Sequence, residues 1–370
     1  MNQNAFGFQQ RIIWELKSLY ETYGYGQYKM NKFEEYDLYA GNKDFLLSDS
    51  VITFTDVGGK LMALKPDVTL SIVKNSRDDL NTLQKLYYNE NVYRVDSGSH
   101  GFREMTQVGL ELMGDLDDLC LMEVLTLAAK SLLTISTDCI LDVSHLGLLS
   151  EALTAAGIPQ NVQEKAIKLI GEKNLHELKA FCTGLGIEEE KINCLLQMLS
   201  ASGSPCQVLR RIRDLLLETD TVDRLIAIFD AIALSGVEDV FQFDFSAVDD
   251  IRYYNGVVFK GYIHELSSSV LSGGQYDNLM RKMHRKSGAV GFAVYVDRLE
   301  RLEPEDRRYD VDTVLLYDNT TSIADVMRHA SQLRECGISV MVQRQIPEAV
   351  FCRRVMKLCS GEVEILENNA

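Results

Sequence analysis

From residue 6 to residue 23, apolar side chains return at Phe8, Ile12, Ile13, Leu16, Leu19, Tyr20 and Tyr23. That is the rhythm of a helix with one buried face, and the 24–26 segment with its two glycines ends it. The pattern then shortens. Strand-like runs cover 51–55, 60–64 and 85–94, with Gly58-Gly59 placed as a hairpin turn between the first two. A further strand at 105–113 precedes a helix at 117–133. This mixture predicts an α+β layer, an antiparallel sheet with helices on one side.

Near Leu148 the pattern changes. To about residue 234 it has almost wholly the helical period, broken by Gly157-Ile158-Pro159, by 184–186 and by 202–205. Strand signals return at 240–245, 256–265 and 290–296. The strands on either side therefore belong to one sheet, with a helical insertion at about 148–238. From 309 the chain reads β-α-β-α-β: strand 313–317, helix 323–336 closed by Gly337, strand 339–343, helix 349–357, strand 363–366. Two domains are expected, 1–307 and a small α/β module at 308–370.

Composition narrows the function classes. The chain has 370 residues, 46% hydrophobic and 25% charged, as in a soluble globular protein. It carries no apolar run long enough to span a membrane and no visible signal segment. The eight cysteines, at 120, 139, 182, 194, 206, 336, 352 and 359, form no Cys-x-x-Cys pair. They read as reduced thiols of a cytoplasmic protein, with no metal site. Net charge is −16, whereas a tRNA-binding surface needs a basic face. The nearest basic run, at 282–286, is short and without aromatic residues, so it reads as a solvated loop.

Four segments carry candidate chemistry. In Leu64-Lys65-Pro66-Asp67-Val68-Thr69, Asp67 is placed either to accept from an ammonium group or to cap the following helix; taken alone, the cap is the simpler reading. In 102–111, Gln107 and Glu111 fall on one face of a strand, where a buried carboxylate makes a specific reader of an N–H group. Tyr253-Tyr254-Asn255-Gly256 offers two rings and two hydroxyls, or else an ordinary hairpin turn at Asn255-Gly256. The fourth is Ser272-Gly273-Gly274-Gln275-Tyr276-Asp277 with 289–299.

In this order the segments resemble those of histidyl-tRNA synthetases. The stretch at 249–260 is similar to the family's Arg-Gly-Leu-Asp-Tyr-Tyr-(Asn/Thr)-Gly-x-Val-Phe-Glu, and 64–69 to Leu-Arg-Pro-Glu-Gly-Thr. The stretch at 93–111 resembles motif 2 of the class II enzymes, and 289–299 resembles motif 3, with Arg298 at its arginine. Tyr23-Gly24-Tyr25-Gly26 is a faint likeness to the segment before motif 1. The resemblance implies a class II synthetase-like antiparallel sheet flanked by helices, and a histidine site at Asp67, Thr69, Arg94, Gln107, Glu111, Tyr253 and Tyr254. Arg94, Arg103 and Arg252 are the candidates to face the histidine carboxylate.

Departures from the pattern cluster on the ATP side. Asp249 stands where the family has an arginine, Gln275 replaces another arginine, and Tyr295 replaces a glycine that lets adenine approach. The loop at 97–101 is shortened, and Asp96 replaces a glutamate. Adenylate formation spreads charge onto phosphate oxygens, so a carboxylate at 249 opposes it. A kept amino-acid pocket and a lost activating site resemble the paralogous family of ATP phosphoribosyltransferase regulatory subunits. That resemblance implies no catalytic residue, cofactor or metal in this chain. It implies a hetero-oligomer, in octameric form, with the short catalytic subunit, self-association as a dimer, L-histidine as feedback effector, and no tRNA or membrane partner. Two other readings stay open: a divergent histidyl-tRNA synthetase, which ATP–pyrophosphate exchange reveals, and a stand-alone histidine sensor, which affinity capture exposes.

Overall fold

The computed structural model describes residues 7–42, 46, 51–95, 101–215, 219–248, 253–302, 309–346, 350–359 and 362–369. Asp96, the 97–100 part of the loop, and Asp249 and Arg252 lie outside the described residues. The chain divides into two compact units, Met1–Glu303 and Pro304–Ala370.

The first unit opens with α1 (Phe8–Thr22), which buries Phe8, Ile12, Leu16 and Tyr20 along one stripe and stops at Gly24, whose φ is +81°. Next come β1 (Gly26–Gln27), β2 (Phe33–Glu35), α2 (Tyr36–Ala40), β3 (Thr53–Thr55), β4 (Leu61–Leu64) and α3 (Thr69–Asn75). The long hairpin β5 (Gln84–Val95) and β6 (Phe102–Gly114) leads to α4 (Asp118–Ile135) and β7 (Cys139–His145). Six helices follow: α5 (Leu146–Ala155), α6 (Gln163–Gly171), α7 (Leu175–Gly184), α8 (Glu189–Leu199), α9 (Pro205–Leu215) and α10 (Asp220–Ala233). The unit closes with β8 (Phe241–Phe243), β9 (Val257–Ile263), β10 (Leu271–Gln275), α11 (Asp277–Lys282) and β11 (Gly288–Tyr295).

Among the described residues the main sheet has eight strands, in the order β1-β5-β6-β11-β10-β9-β7-β8. It is antiparallel except at its two margins, where β1 runs parallel to β5 and β8 parallel to β7. Strands before and after the helical stretch thus share one sheet, joined where β6 pairs with β11. The runs at 51–55 and 60–64 do not enter it. They form β3 and β4 of a separate three-stranded sheet completed by β2. Their turn works as the glycine pair implies: Asp56 Oδ1 accepts from the N–H groups of Gly58 and Lys60 at 2.8 Å, and Gly59 has φ +82°. Gly59→Ala has free space for its methyl but not the conformation, so chemical denaturation should show a loss of about 1–2 kcal/mol.

The sheet has two unlike faces. Val108, Leu110 and Leu112 of β6 join α1 and α4 in one apolar core, while Gln107, Gly109 and Glu111 face the other way. Helices α5–α10 bury their apolar stripes in that same core, so the insertion is welded to the sheet rather than built around a core of its own. No helix among the described residues is long and apolar enough to cross a membrane, and among those residues no cluster of His, Cys, Asp and Glu could hold a metal ion.

The second unit contains β12 (Val311–Leu316), α12 (Ile323–Glu335), β13 (Val340–Gln343), β14 (Cys352–Cys359) and β15 (Glu362–Asn368), in the sheet order β13-β12-β14-β15. Gly337, at φ +78°, ends α12 as expected. The helix read at 349–357 is instead strand β14; Ala349 itself lies outside the described residues. Buried side chains recur there every third residue, at Cys352, Val355 and Leu358, which imitates a helical stripe. The cause is a central strand covered on both faces: Val355 packs into one cluster and Leu358 into another, with a register shift between Val355 and Met356.

Candidate functional site

The face of the main sheet turned away from α1 and α4 is built in cross-strand rows. One row runs Tyr88, Gly109, Ala293, Ser272, Lys260, Asp142; the next runs Leu86, Glu111, Gly291, Gly274, Val258, Ser144. Small residues in the middle leave a floor over which the larger side chains lie. A Cβ on Gly109 would sit 2.5 Å from the Tyr88 hydroxyl, one on Gly291 1.8 Å from Glu111 Oε2, and one on Gly274 2.6 Å from the Tyr254 ring. These glycines serve close approach, not unusual backbone angles.

Over this floor lies a cleft that opens to solvent at its mouth. All seven residues singled out from the sequence line it. Asp67 and Thr69 come from the turn between β4 and α3, Arg94 from β5, Gln107 and Glu111 from β6, and Tyr253 and Tyr254 from the segment before β9. Asp67 takes the helix-capping reading of its motif. Its Oδ1 accepts the Leu70 N–H at 2.9 Å in the first turn of α3, and the side chain borders the cleft. The hairpin-turn reading of Asn255-Gly256 is not what forms: the Asn255 N–H donates to Gln275 O at 3.0 Å, and the Leu146 N–H donates to Gly256 O at 2.9 Å.

Glu111 is the electrostatic centre. Thr69 Oγ1 donates to its Oε1 at 2.7 Å, and the Tyr276 hydroxyl donates to Oε2. Burial pushes the carboxyl up to about 8, with the two hydroxyls opposing and the Asp67 charge adding to the rise. Burial also raises Asp67, against the Leu70 N–H and the Arg94 charge. The cleft therefore holds two carboxyl groups, at least one of them uncharged at neutral pH, among phenols of Tyr88, Tyr253 and Tyr276 that burial keeps protonated. The Tyr253 and Tyr254 rings meet edge to face at 4.8 Å, and Tyr276 lies 5.8 Å from Tyr253. Such a site suits a small cationic or N–H-bearing ligand with a flat ring.

Of the three candidate arginines, Arg94 borders the cleft, where its Nε donates to Pro66 O at 3.2 Å. Arg103 does not line it and lies near Asp297, while Arg252 lies outside the described residues. Tyr88, Ser272 and Tyr276 also line the cleft and were not singled out. Tyr276 sits inside a quoted motif; Tyr88 is found only through its register with Gly109.

Beyond Tyr254 and Arg94 the cleft passes into a wider cavity of about 340 Å³ that includes Lys260, Tyr295 and Arg298. Tyr295 occupies part of it, as the sequence implies: its hydroxyl is hydrogen bonded to Ser272 Oγ at 2.5 Å. The Arg298 guanidinium stacks 4.3 Å above the Tyr295 ring and donates to Ser269 O. Gln275 turns away, donating to Asp277 Oδ2 at 2.7 Å.

Comparison with known proteins agrees with the geometry. The family model described as histidyl-tRNA synthetase matches residues 4–299. The chain is similar to an ATP phosphoribosyltransferase regulatory subunit of Oceanobacillus iheyensis, 26% identical over 340 residues, 90% of this chain and 84% of that protein. It is also similar to a histidine–tRNA ligase of Methanocaldococcus jannaschii, 29% identical over 368 residues, 95% of this chain and 88% of the other. The solved structure of an ATP phosphoribosyltransferase regulatory subunit/histidyl-tRNA synthetase from Bacillus halodurans shares the fold. Its TM-score is 0.76 at 23% identity, over 91% of this chain and 88% of that one.

Proposed function

Because the chain belongs to the histidyl-tRNA synthetase family, we propose that its cleft is a histidine-sensing site and that the protein is the non-catalytic regulatory subunit of ATP phosphoribosyltransferase. It assembles with the short catalytic subunit into a hetero-oligomer, supports phosphoribosyl transfer in the first step of histidine biosynthesis, and makes that step sensitive to L-histidine. The octameric stoichiometry and the dimer of this chain are part of the same proposal. The observation that carries it is the pairing, along one cleft, of a complete set of amino-acid-site residues with a neighbouring cavity whose Arg298 is already taken up by Tyr295 and Ser269. Asp67, Thr69, Gln107 and Glu111 belong to the first; Tyr295, stacked under Arg298, stands in the second. The likeness to a relative named as a regulatory subunit supports it.

In the proposed pose, Asp67 and Thr69 take the ammonium group. Glu111 and Gln107 read the imidazole nitrogens, the Tyr253 and Tyr254 rings pack on its plane, and Arg94 faces the carboxylate. Regulation follows only if the two arrangements of the assembly differ in histidine affinity.

Calorimetric titration tests the pose. L-histidine should bind, and histidinol, which lacks the carboxylate, should bind about tenfold or more weakly, the loss of one charge-assisted contact. Arg94→Met should weaken L-histidine by a similar factor and weaken histidinol much less, since Arg94 also steadies the turn that carries Asp67. Equal effects on both ligands would remove Arg94 from the carboxylate. The likeness to a histidine–tRNA ligase supports a second reading, a divergent synthetase. Histidine-dependent ATP–pyrophosphate exchange at background level is expected; clear exchange would favour that second reading.

A further inference from the structure

An ion pair with a buried lysine and a partly buried glutamate lies beside the cleft without lining it. Lys65, 1% exposed, sends Nζ to Glu90 Oε2, and Glu90 Oε1 accepts the Met30 N–H at 3.1 Å. Taking two charges out of water is costly, and such a pair is seldom the most stable filling for its space. Its position suggests another reason for it. Tyr88, Glu90 and Arg94 occupy alternate positions on the same face of β5, so Glu90 stands between two cleft residues. Directly across the ladder from Glu90 is Gln107, a third. Lys65 immediately precedes Pro66 and Asp67. Its own C=O accepts the Tyr93 N–H at 2.9 Å, and Pro66 O accepts from Arg94 at 3.2 Å. The turn that carries Asp67 is thus fastened to β5 by one backbone bond and one bond from the Arg94 side chain, neither of which needs the lysine side chain.

We infer that Lys65 is a positioning residue acting through Glu90: it holds this carboxylate away from the cleft, so that Gln107 stays free for the ligand and Asp67 and Glu111 are the two carboxyl groups that face it. Without Lys65, Glu90 faces the Gln107 amide on the adjacent strand and takes its N–H as a substitute partner. That withdraws Gln107 from the cleft and adds a third acidic group beside it. The inference rests on the reading of the cleft as a histidine site, and it makes the charge on position 65, not its bulk, the quantity that matters.

The test measures L-histidine affinity, melting temperature and the side-chain amide resonance of Gln107, in protein labelled with ¹⁵N-glutamine and assigned with Gln107→Ala. Lys65→Met should weaken histidine binding by about tenfold or more and move the Gln107 resonance. Lys65→Arg should restore both. The double variant Lys65→Met/Glu90→Gln, in which no charge is left alone, should bind within about threefold of the parent. If Lys65→Met does not fold, Glu90→Asp, which keeps the charge and shortens its reach to Lys65, should move both readings in the same direction. Unchanged affinity and an unmoved resonance in Lys65→Met would overturn the inference. So would a double variant as weak as the single one, since that marks a purely structural pair. If the parent protein binds no histidine, the histidine reading falls, and the Gln107 resonance alone still decides whether Lys65 acts on that side chain.

Discussion

Replacing Glu111 by glutamine is expected to weaken L-histidine binding about a hundredfold or more, and at the same time to stabilise the ligand-free protein at alkaline pH. The second effect follows from the proton that Glu111 keeps. Its carboxyl is fully buried, and burial pushes it up to about 8, whereas an unfolded chain would ionise it near the ordinary 4.5. A carboxyl raised on folding contributes its stability in full below the unfolded value. That contribution is lost as pH rises through the folded one. Between about 4.5 and 8 the ligand-free protein therefore loses on the order of 5 kcal/mol relative to a group that does not titrate. Glutamine is such a group. It imitates the protonated acid, with one atom to accept from Thr69 or Tyr276 and one to donate to the other. Thermal denaturation at pH 5 and pH 9 should show Glu111→Gln gaining on the parent as pH rises. Affinity falls because the amide cannot become the anion that faces the ligand. The same linkage predicts that histidine binding near neutral pH expels the Glu111 proton, which titrations in buffers of different ionisation enthalpy detect. A variant that binds histidine normally would show that Glu111 is not a ligand contact.

Gly291→Ala should abolish the histidine response while the protein still folds. The added methyl would lie 1.8 Å from Glu111 Oε2 and 2.4 Å from the backbone oxygen of Leu110. Glu111 can swing aside, leaving Thr69 and Tyr276, but the β6 backbone is held by its ladder and cannot retreat. Overpacking of this kind is worth about 1–3 kcal/mol, and the displaced carboxyl leaves its place in the cleft. Gly184→Ala at the end of α7, where nothing lies within 4 Å of the new Cβ, is the control and should leave binding and stability nearly unchanged. Histidine affinity in Gly291→Ala equal to that of the control would mean that Glu111 need not sit over Gly291 to bind.

Part of this site was readable from local spacing, and Thr69 and Arg94 only through the family resemblance. The alternation of Gln107, Gly109 and Glu111 places two polar groups on one strand face whatever that strand pairs with, and the structure puts both in the cleft. Tyr88 was not readable, because its role depends on register: only the β5–β6 pairing sets it over Gly109. Lys65 was equally hidden, since nothing in its immediate neighbours announces a buried partner on β5. Asp67 was read as a choice between cap and ligand contact, yet one oxygen caps α3 while the side chain borders the cleft. In the C-terminal unit, burial on both faces of β14 gave Cys352, Val355 and Leu358 a false helical period. The charge reversal at Asp249, outside the described residues, stands on the sequence alone.

The central claim is tested most directly by phosphoribosyl transfer from phosphoribosyl pyrophosphate to ATP. The short catalytic subunit from the same genome is assayed with and without this chain, across a titration of L-histidine. Activity that requires the chain and falls as histidine rises, with the fall lost in Glu111→Gln, is the predicted result. Activity indifferent to the chain, together with no stable complex between the two, would contradict it.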